Sequence, residues 1–384
     1  MPRIAYVDHS YHRTTRSTHF LRDILRRHGQ EVQDFWDEAW QGGPSVEWAS
    51  VRHHDVIIMF QSYCPLPGGE AFRLLHPNVV FIPMLDNFAI SRGPVFNLTG
   101  FWAPFQGSKV LNFSSTLHGL TTSYGVASHW ARFYQPAEPV APSPPARGLH
   151  GFFWLRCEDQ INWALLRQLI GGSRFDSFHL HLAGDPGAPE PRLPPAADMA
   201  RHRITTSTWF EDRRELTALV ERANVYFAPR LEEGIGQSFL EAMARGKCVV
   251  APNQGTMNEY ILHGVNGLLY EHHNPRPLDF SRVKRLGRCA RDSVVAGHAQ
   301  WLAAEDGIVD FILTPSERFY VGKYQHVFAA PAATNPSAPV LAAETLGSSL
   351  RALTGRYALL RATRPVWHPL LRLTRRVRRM IRGA

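Results

Sequence analysis

The chain has 384 residues with 44% hydrophobic and 11% aromatic content. It is too long for a single core, which rarely grows past about 250–300 residues, and apolar enough to build two. Its four cysteines (Cys64, Cys157, Cys248, Cys289) form no C-x-x-C pair, which excludes a zinc ribbon or disulfide framework and fits a reducing compartment. The net charge of +9 is confined to one end: ten arginines and no acid follow from Arg351, so the first 350 residues come to −1 and a polycationic body is excluded.

The opening MPRIAYVDHS runs straight into a strand-like segment, with no charged n-region and apolar h-region, so no secretory signal is expected. No apolar run approaches the ~18 residues of a membrane-spanning helix. A cytoplasmic protein is the expectation. RIAYVDH predicts a first strand, and THFLRDILRRHG a helix through Phe20, Leu21, Ile24 and Leu25 that ends at Gly29. HHDVIIMFQSY, NVVFIPMLD and SKVLNFSS predict three more buried strands. Alternating β and α elements favour a parallel sheet covered on both faces. Ligands bind at the carboxyl ends of strands in such sheets, which puts weight on Asp8, Gln61 and Asp86.

PAEPVAPSPPARG is too rich in proline for an element interior and predicts an interdomain linker. After it the pattern restarts with strands at GFFWLR, SFHLHLAGD, RHRITTSTWF, VYFAP and KCVVAP. Helices are predicted at NWALLRQLIGG, ELTALVERA and GQSFLEAMARG. The fold class is therefore α/β, with two Rossmann-like domains facing a cleft. The divisions fall at 1–140, 148–315 and a linker and basic helical tail over 316–384. In that tail Val366, Leu370, Leu373, Val377, Met380 and Ile381 make one apolar helix face and arginines the other. An anionic membrane surface reached through 366–382 is the expected partner. Nucleic acid is not expected, because aromatic interleaving and a recognised motif are both missing.

The stretch that carries the chemistry is residues 225–271. An apolar strand ends at Pro229, and a loop with Glu233, Gly234 and Gly236 leads into a helix starting near Gln237 and Ser238. Small residues at a strand-to-helix turn let a phosphate reach backbone N–H groups, and the helix dipole adds attraction for negative charge. Glu241 lies one turn into the helix, where a carboxylate can accept hydrogen bonds from both ribose hydroxyls. A second turn, NQGTMNE, offers backbone donors around Gly255, Thr256 and Met257, with Glu259 close behind. There is no D-x-D in the chain, so the carboxylate pair that holds a metal on nucleotide sugars is missing. No metal and no cofactor are expected, and the leaving diphosphate is left to arginine, helix dipole and backbone N–H groups.

E-G-x-G-x-x-x-x-E-A-M-A-x-G followed by a strand, G-x-x-x-E and G-x-x-G resembles the donor site of the large retaining GT-B glycosyltransferase family with an E-x7-E signature, present here as Glu233-GIGQSFL-Glu241. The resemblance implies that Glu241 binds the ribose of a nucleotide diphosphate sugar. It also implies that Glu233 lies near the transferred sugar and that backbone around Gly255–Met257 touches sugar or phosphate. FFWLR is similar to the strand that ends in the family's phosphate-binding arginine, here Arg156. NVVFIPMLD is similar to the strand that usually ends in His-Asp, here Leu85 and Asp86. The implied activity is hexosyl transfer to a glycan or lipid-linked acceptor in cell-envelope polysaccharide synthesis, with retention. The chain departs from the family at the glycine pair of the first loop, at the lysine after Arg156 and at Leu85. A sugar-nucleotide epimerase or a non-catalytic sugar-nucleotide-binding module on the same scaffold is the alternative.

Overall fold

The computed structural model describes residues 1–62, 64–65, 71–88, 99–137, 147–184 and 189–320. Most of the proline linker and the whole basic tail from residue 321, including the stripe at 366–382, lie outside the described residues.

Six parallel strands build a first sheet: β1 (Arg3–His9), β2 (Glu31–Asp37), β3 (Val56–Phe60), β4 (Val79–Ile82), β5 (Lys109–Asn112) and β6 (Ala127–Trp130), in the order β2-β1-β3-β4-β5-β6. A second parallel sheet holds β7 (His150–Leu155), β8 (Ser177–Leu182), β9 (Ile204–Ser207), β10 (Val225–Phe227), β11 (Cys248–Pro252) and β12 (Leu268–Tyr270), in the order β12-β11-β10-β7-β8-β9. The central strands are buried throughout, as Val56-Ile-Ile-Met-Phe60 illustrates, because helices cover both faces. The second order is the doubly wound arrangement in which the chain reverses direction between β7 and β10. In the first sheet the reversal falls between β1 and β3. The expected pair of Rossmann-like domains is present.

Local chemistry sets the helices. His19–Arg27 buries Leu21, Ile24 and Leu25 on one stripe, and the chain leaves it through Gly29 at φ +74°. Trp163–Ile170 is capped by the Asn162 side chain, which accepts from the Leu165 N–H at 3.1 Å. The helix Val283–Leu313 has 31 residues and so spans about 45 Å. It packs along Gln237–Ala244 and then crosses to the first sheet. There Trp301 meets Phe20, Phe113 and Phe133 at 5.2–6.2 Å between ring centres. Arg27 pairs with Glu305 at 2.6 Å, and buried Lys109 donates to the carbonyls of Phe311, Ile312 and Thr314 at the helix end. One apolar core therefore runs continuously from β1 and β3 through Trp301 to Phe239 and Tyr260.

Candidate functional site

The carboxyl ends of β7 and β10 flank the reversal point of the second sheet, and most of the sequence candidates gather there. Arg156 directly follows β7, with its guanidinium 4.7 Å from the centre of the Trp154 ring. Trp154 is itself fixed by donating its indole N–H to the Ala183 carbonyl beyond β8, at 2.8 Å. The loop after β10 carries Glu233, which is 8% exposed, and opens the helix Gln237–Ala244 through Gly236 at φ +79°. A side chain at Gly236 would have to adopt a left-handed backbone and would also strike the Phe239 ring at 1.9 Å.

Tyr226, on β10, shows how these groups converge. Burial raises the pKa of its hydroxyl, and Glu241 and Glu233 push it the same way; a hydrogen bond with Ser238 and the charge of Arg156 act against them. One buried hydroxyl thus lies within electrostatic reach of both glutamates and the arginine. Tyr226 was not singled out from the sequence. Its place in an ordinary apolar strand, VYFAP, gave no signal beyond its being the one polar atom there.

The second turn is stitched to the first. Thr256, fully buried, donates its hydroxyl to the carbonyls of Glu233 and Gly234. Met257 is fully buried and belongs to the core, so its side chain does not face a ligand. Gly234 and Gly255 meet the first domain closely. A Cβ at Gly234 would stand 2.9 Å from Met84 Cβ and 3.1 Å from Asp86 Oδ1, and one at Gly255 would stand 2.8 Å from Leu85 Cδ2. Their smallness therefore serves the approach of the two halves as well as that of a phosphate.

From the first domain, Asp8 ends inside β1, Gln61 follows β3 and Asp86 follows β4. Asp86 lies 3.5 Å from Arg230, a residue of the donor-side loop that the sequence reading passed over. An arginine next to Pro229 at a strand end is the signal that was available. Leu85 is fully buried against Gly255, so the position that holds histidine in the resembling family is a packing residue here. Gln237 donates its side-chain amide to the Ser17 carbonyl of the first domain at 2.8 Å.

Glu259 reaches across to the first domain. Its carboxylate accepts from Ser114 Oγ at 2.8 Å and from the Ser115 N–H at 2.7 Å, at the N-terminus of the helix Ser115–Ser123 in the first domain. Free N–H groups and the helix dipole both favour an anion there. Its nearest polar partners thus belong to the opposite domain.

Two doubly wound parallel sheets, with acids, glycines and an arginine at the second sheet's reversal point, have the GT-B arrangement. Residues 162–281 match the family described as Glycosyl transferases group 1, and this segment contains Glu233, Glu241 and the whole glycine-rich run. Group 1 sequence is thus present in the donor half of the chain. The fold is shared with sucrose-phosphate synthase from Thermosynechococcus elongatus, with 13% identity over 81% of this chain and 98% of that one at a TM-score of 0.55. It is shared equally with a glycosyltransferase from Rickettsia africae ESF-5, with 15% identity over 82% and 99% of the two chains at a TM-score of 0.52. No curated protein matches the sequence.

Proposed function

We propose that the chain transfers a hexose from a nucleotide diphosphate sugar to a glycan or lipid-linked acceptor, with retention at the anomeric carbon and without a metal ion. The observation that carries this reading is the convergence of Arg156, Ser238, Glu233 and Glu241 on Tyr226 at the reversal point between β7 and β10. Glu241 accepts from the ribose hydroxyls. The N–H groups at the start of Gln237–Ala244, after Gly234 and Gly236, take the diphosphate together with Arg156, and the backbone of Gly255–Met257 adds donors beside the sugar. Glu233 stands on the sugar side, and Asp86, held near Arg230, closes the crevice from the first domain. Arginine, helix dipole and backbone donors supply the charge stabilisation that a metal gives in other sugar transferases, so no cofactor is needed. Retention is what the group 1 resemblance supports.

Among the described residues no helix is long and apolar enough to cross a membrane. In this reading the protein works in the cytoplasm at the inner face of the cell membrane, held by the arginines within 366–382, and serves cell-envelope polysaccharide synthesis. A thermal-shift panel of nucleotide diphosphates and their sugars tests the proposal. A true donor at about 100 times its dissociation constant should stabilise the protein by about 2.7 kcal/mol. No shift with any nucleotide would contradict the reading. Tight binding with no turnover across the panel would replace it with a non-catalytic sugar-nucleotide module.

A further inference from the structure

The first sheet has its own reversal point, between β1 and β3, and a buried polar cluster occupies it. Asp8 is fully buried at the carboxyl end of β1 and accepts three hydrogen bonds: from His12 Nδ1 at 2.6 Å, Thr18 Oγ1 at 2.8 Å and Arg22 Nη1 at 3.1 Å. His12 follows on the short helix Tyr11–Thr15, so the two residues are one helical turn apart. Its ring stands edge-on to Phe60, the last residue of β3, and 3.8 Å from the His9 ring. Among the described residues its one side-chain hydrogen bond is to Asp8. That bond fixes the tautomer with the proton on Nδ1 and leaves Nε2 as an open acceptor. Two strands away, the residues after β4 touch the donor loop, and Ser17 of this same segment accepts from Gln237 at the start of the donor helix. The cluster therefore lies on the segment that meets the start of the donor helix through Ser17 and Gln237.

We propose that Asp8 and His12 form a dyad in which His12 is the base that takes the proton of the acceptor hydroxyl and Asp8 is its positioning residue. The inference rests on the sugar-transfer reading above. In the step, the acceptor O–H breaks and its proton passes to His12 Nε2. The oxygen forms a bond to the anomeric carbon, and the old bond from that carbon to the diphosphate oxygen breaks, its electron pair leaving on the nucleotide diphosphate. Because His12 meets the proton and not the anomeric carbon, the assignment holds for attack on either face of the sugar. Asp8 holds the ring in orientation and offsets the charge that forms on it, as a buried carboxylate behind a histidine does in other enzymes. It is over-determined for that task, being fixed from the other side by Thr18 and Arg22. Asp8, His9 and His12 each offer an atom within 4.8 Å of the others, a spacing a metal ion would also accept. The Arg22 guanidinium on the second Asp8 oxygen disfavours a cation and fits a carboxylate that works on a histidine.

The test uses the full chain and the sugar nucleotide that gives the largest thermal shift among UDP-, GDP- and ADP-hexoses. Water and n-octyl β-glucoside serve as acceptors, and release of nucleotide diphosphate is followed. His12→Ala and His12→Gln should keep donor affinity within about threefold while turnover falls about 100- to 10,000-fold. Free imidazole should restore turnover to His12→Ala, which a purely structural loss would not allow. Asp8→Asn should lower kcat with donor KM unchanged. Folded His12 variants that turn over within threefold of wild type overturn the dyad, as does an alanine variant that imidazole does not rescue. Turnover abolished by EDTA and restored by zinc overturns it too, in favour of a metal centre. A wild-type chain that neither binds nor hydrolyses any of the nucleotides removes the transfer reading and the dyad with it, and the wild-type control tells that failure from the others.

Discussion

The carboxylate of Glu259, in the donor half, sits 2.7 Å from the N–H of Ser115, at the start of a helix in the other half. With Gln237 on Ser17, Arg230 beside Asp86 and Leu85 against Gly255, it joins the two halves. Two binding surfaces that must meet across a reacting sugar are brought together by a few polar contacts and two side-chain-free positions.

Glu259→Ala should therefore loosen the join. It removes a charge-assisted pair of hydrogen bonds from a half-buried position, worth about 1–2 kcal/mol in urea unfolding. A variant as stable as wild type would show that this contact does not contribute to holding the halves together.

Gly234→Ala tests the join from the other direction. The added methyl would press on Met84 Cβ at 2.9 Å, a backbone-attached atom that cannot swing away. The cost should be on the order of 1–3 kcal/mol, with a more open molecule by small-angle scattering and weaker donor binding. An unchanged scattering profile together with unchanged donor KM would refute the close approach.

His181 gives a pH signature. Burial, and then the neighbouring His179, lower its pKa from 6.5 to about 4, and its ring stacks on Phe210 while it shares Ser207 with His179. Between these two values the unfolded chain binds a proton that the folded chain refuses. Stability from this group is therefore fully present above pH 6.5 and is lost as pH falls towards 4, by on the order of 2–3 kcal/mol. Denaturant titrations across that window should show the slope in wild type and a shallower one in His181→Gln. Equal slopes would mean that the ring titrates as in the unfolded chain.

Much of this was legible in the sequence because parallel strands covered on both faces read as continuous apolar runs: β1, β3, β4, β8 and β11 fall within their predicted segments, and β7 begins one residue before its own. β2, β6 and β12 were not anticipated. All three lie at sheet edges. EVQDFWD mixes charge with aromatics because only one side of it is covered, and ASHW and LLY are too short to show a period. The donor run was legible because glycine and glutamate spacing survives at sequence level. Contacts across the cleft were not, since they join residues more than a hundred positions apart. The spacing of Glu259, Gly234 and Gly255 thus gives no sign of the Ser115–Ser123 helix, Met84 and Leu85 that they meet. Asp8 stood out as a strand-end acid, but its partner His12 looked like one histidine among 19.

The arginine tail makes a separable prediction. Deleting the residues after Asn335 should abolish binding to vesicles containing phosphatidylglycerol, since each arginine near such a surface contributes ~1 kcal/mol. Donor hydrolysis in solution should be spared. Vesicle binding that survives the deletion would remove the membrane assignment.

The account depends most on Glu241 and the ribose. Isothermal titration of the best-binding nucleotide diphosphate into Glu241→Ala should show affinity at least tenfold weaker than wild type, with the melting temperature of the free protein little changed. Equal affinity in the two proteins would contradict the donor site proposed between β7 and β10.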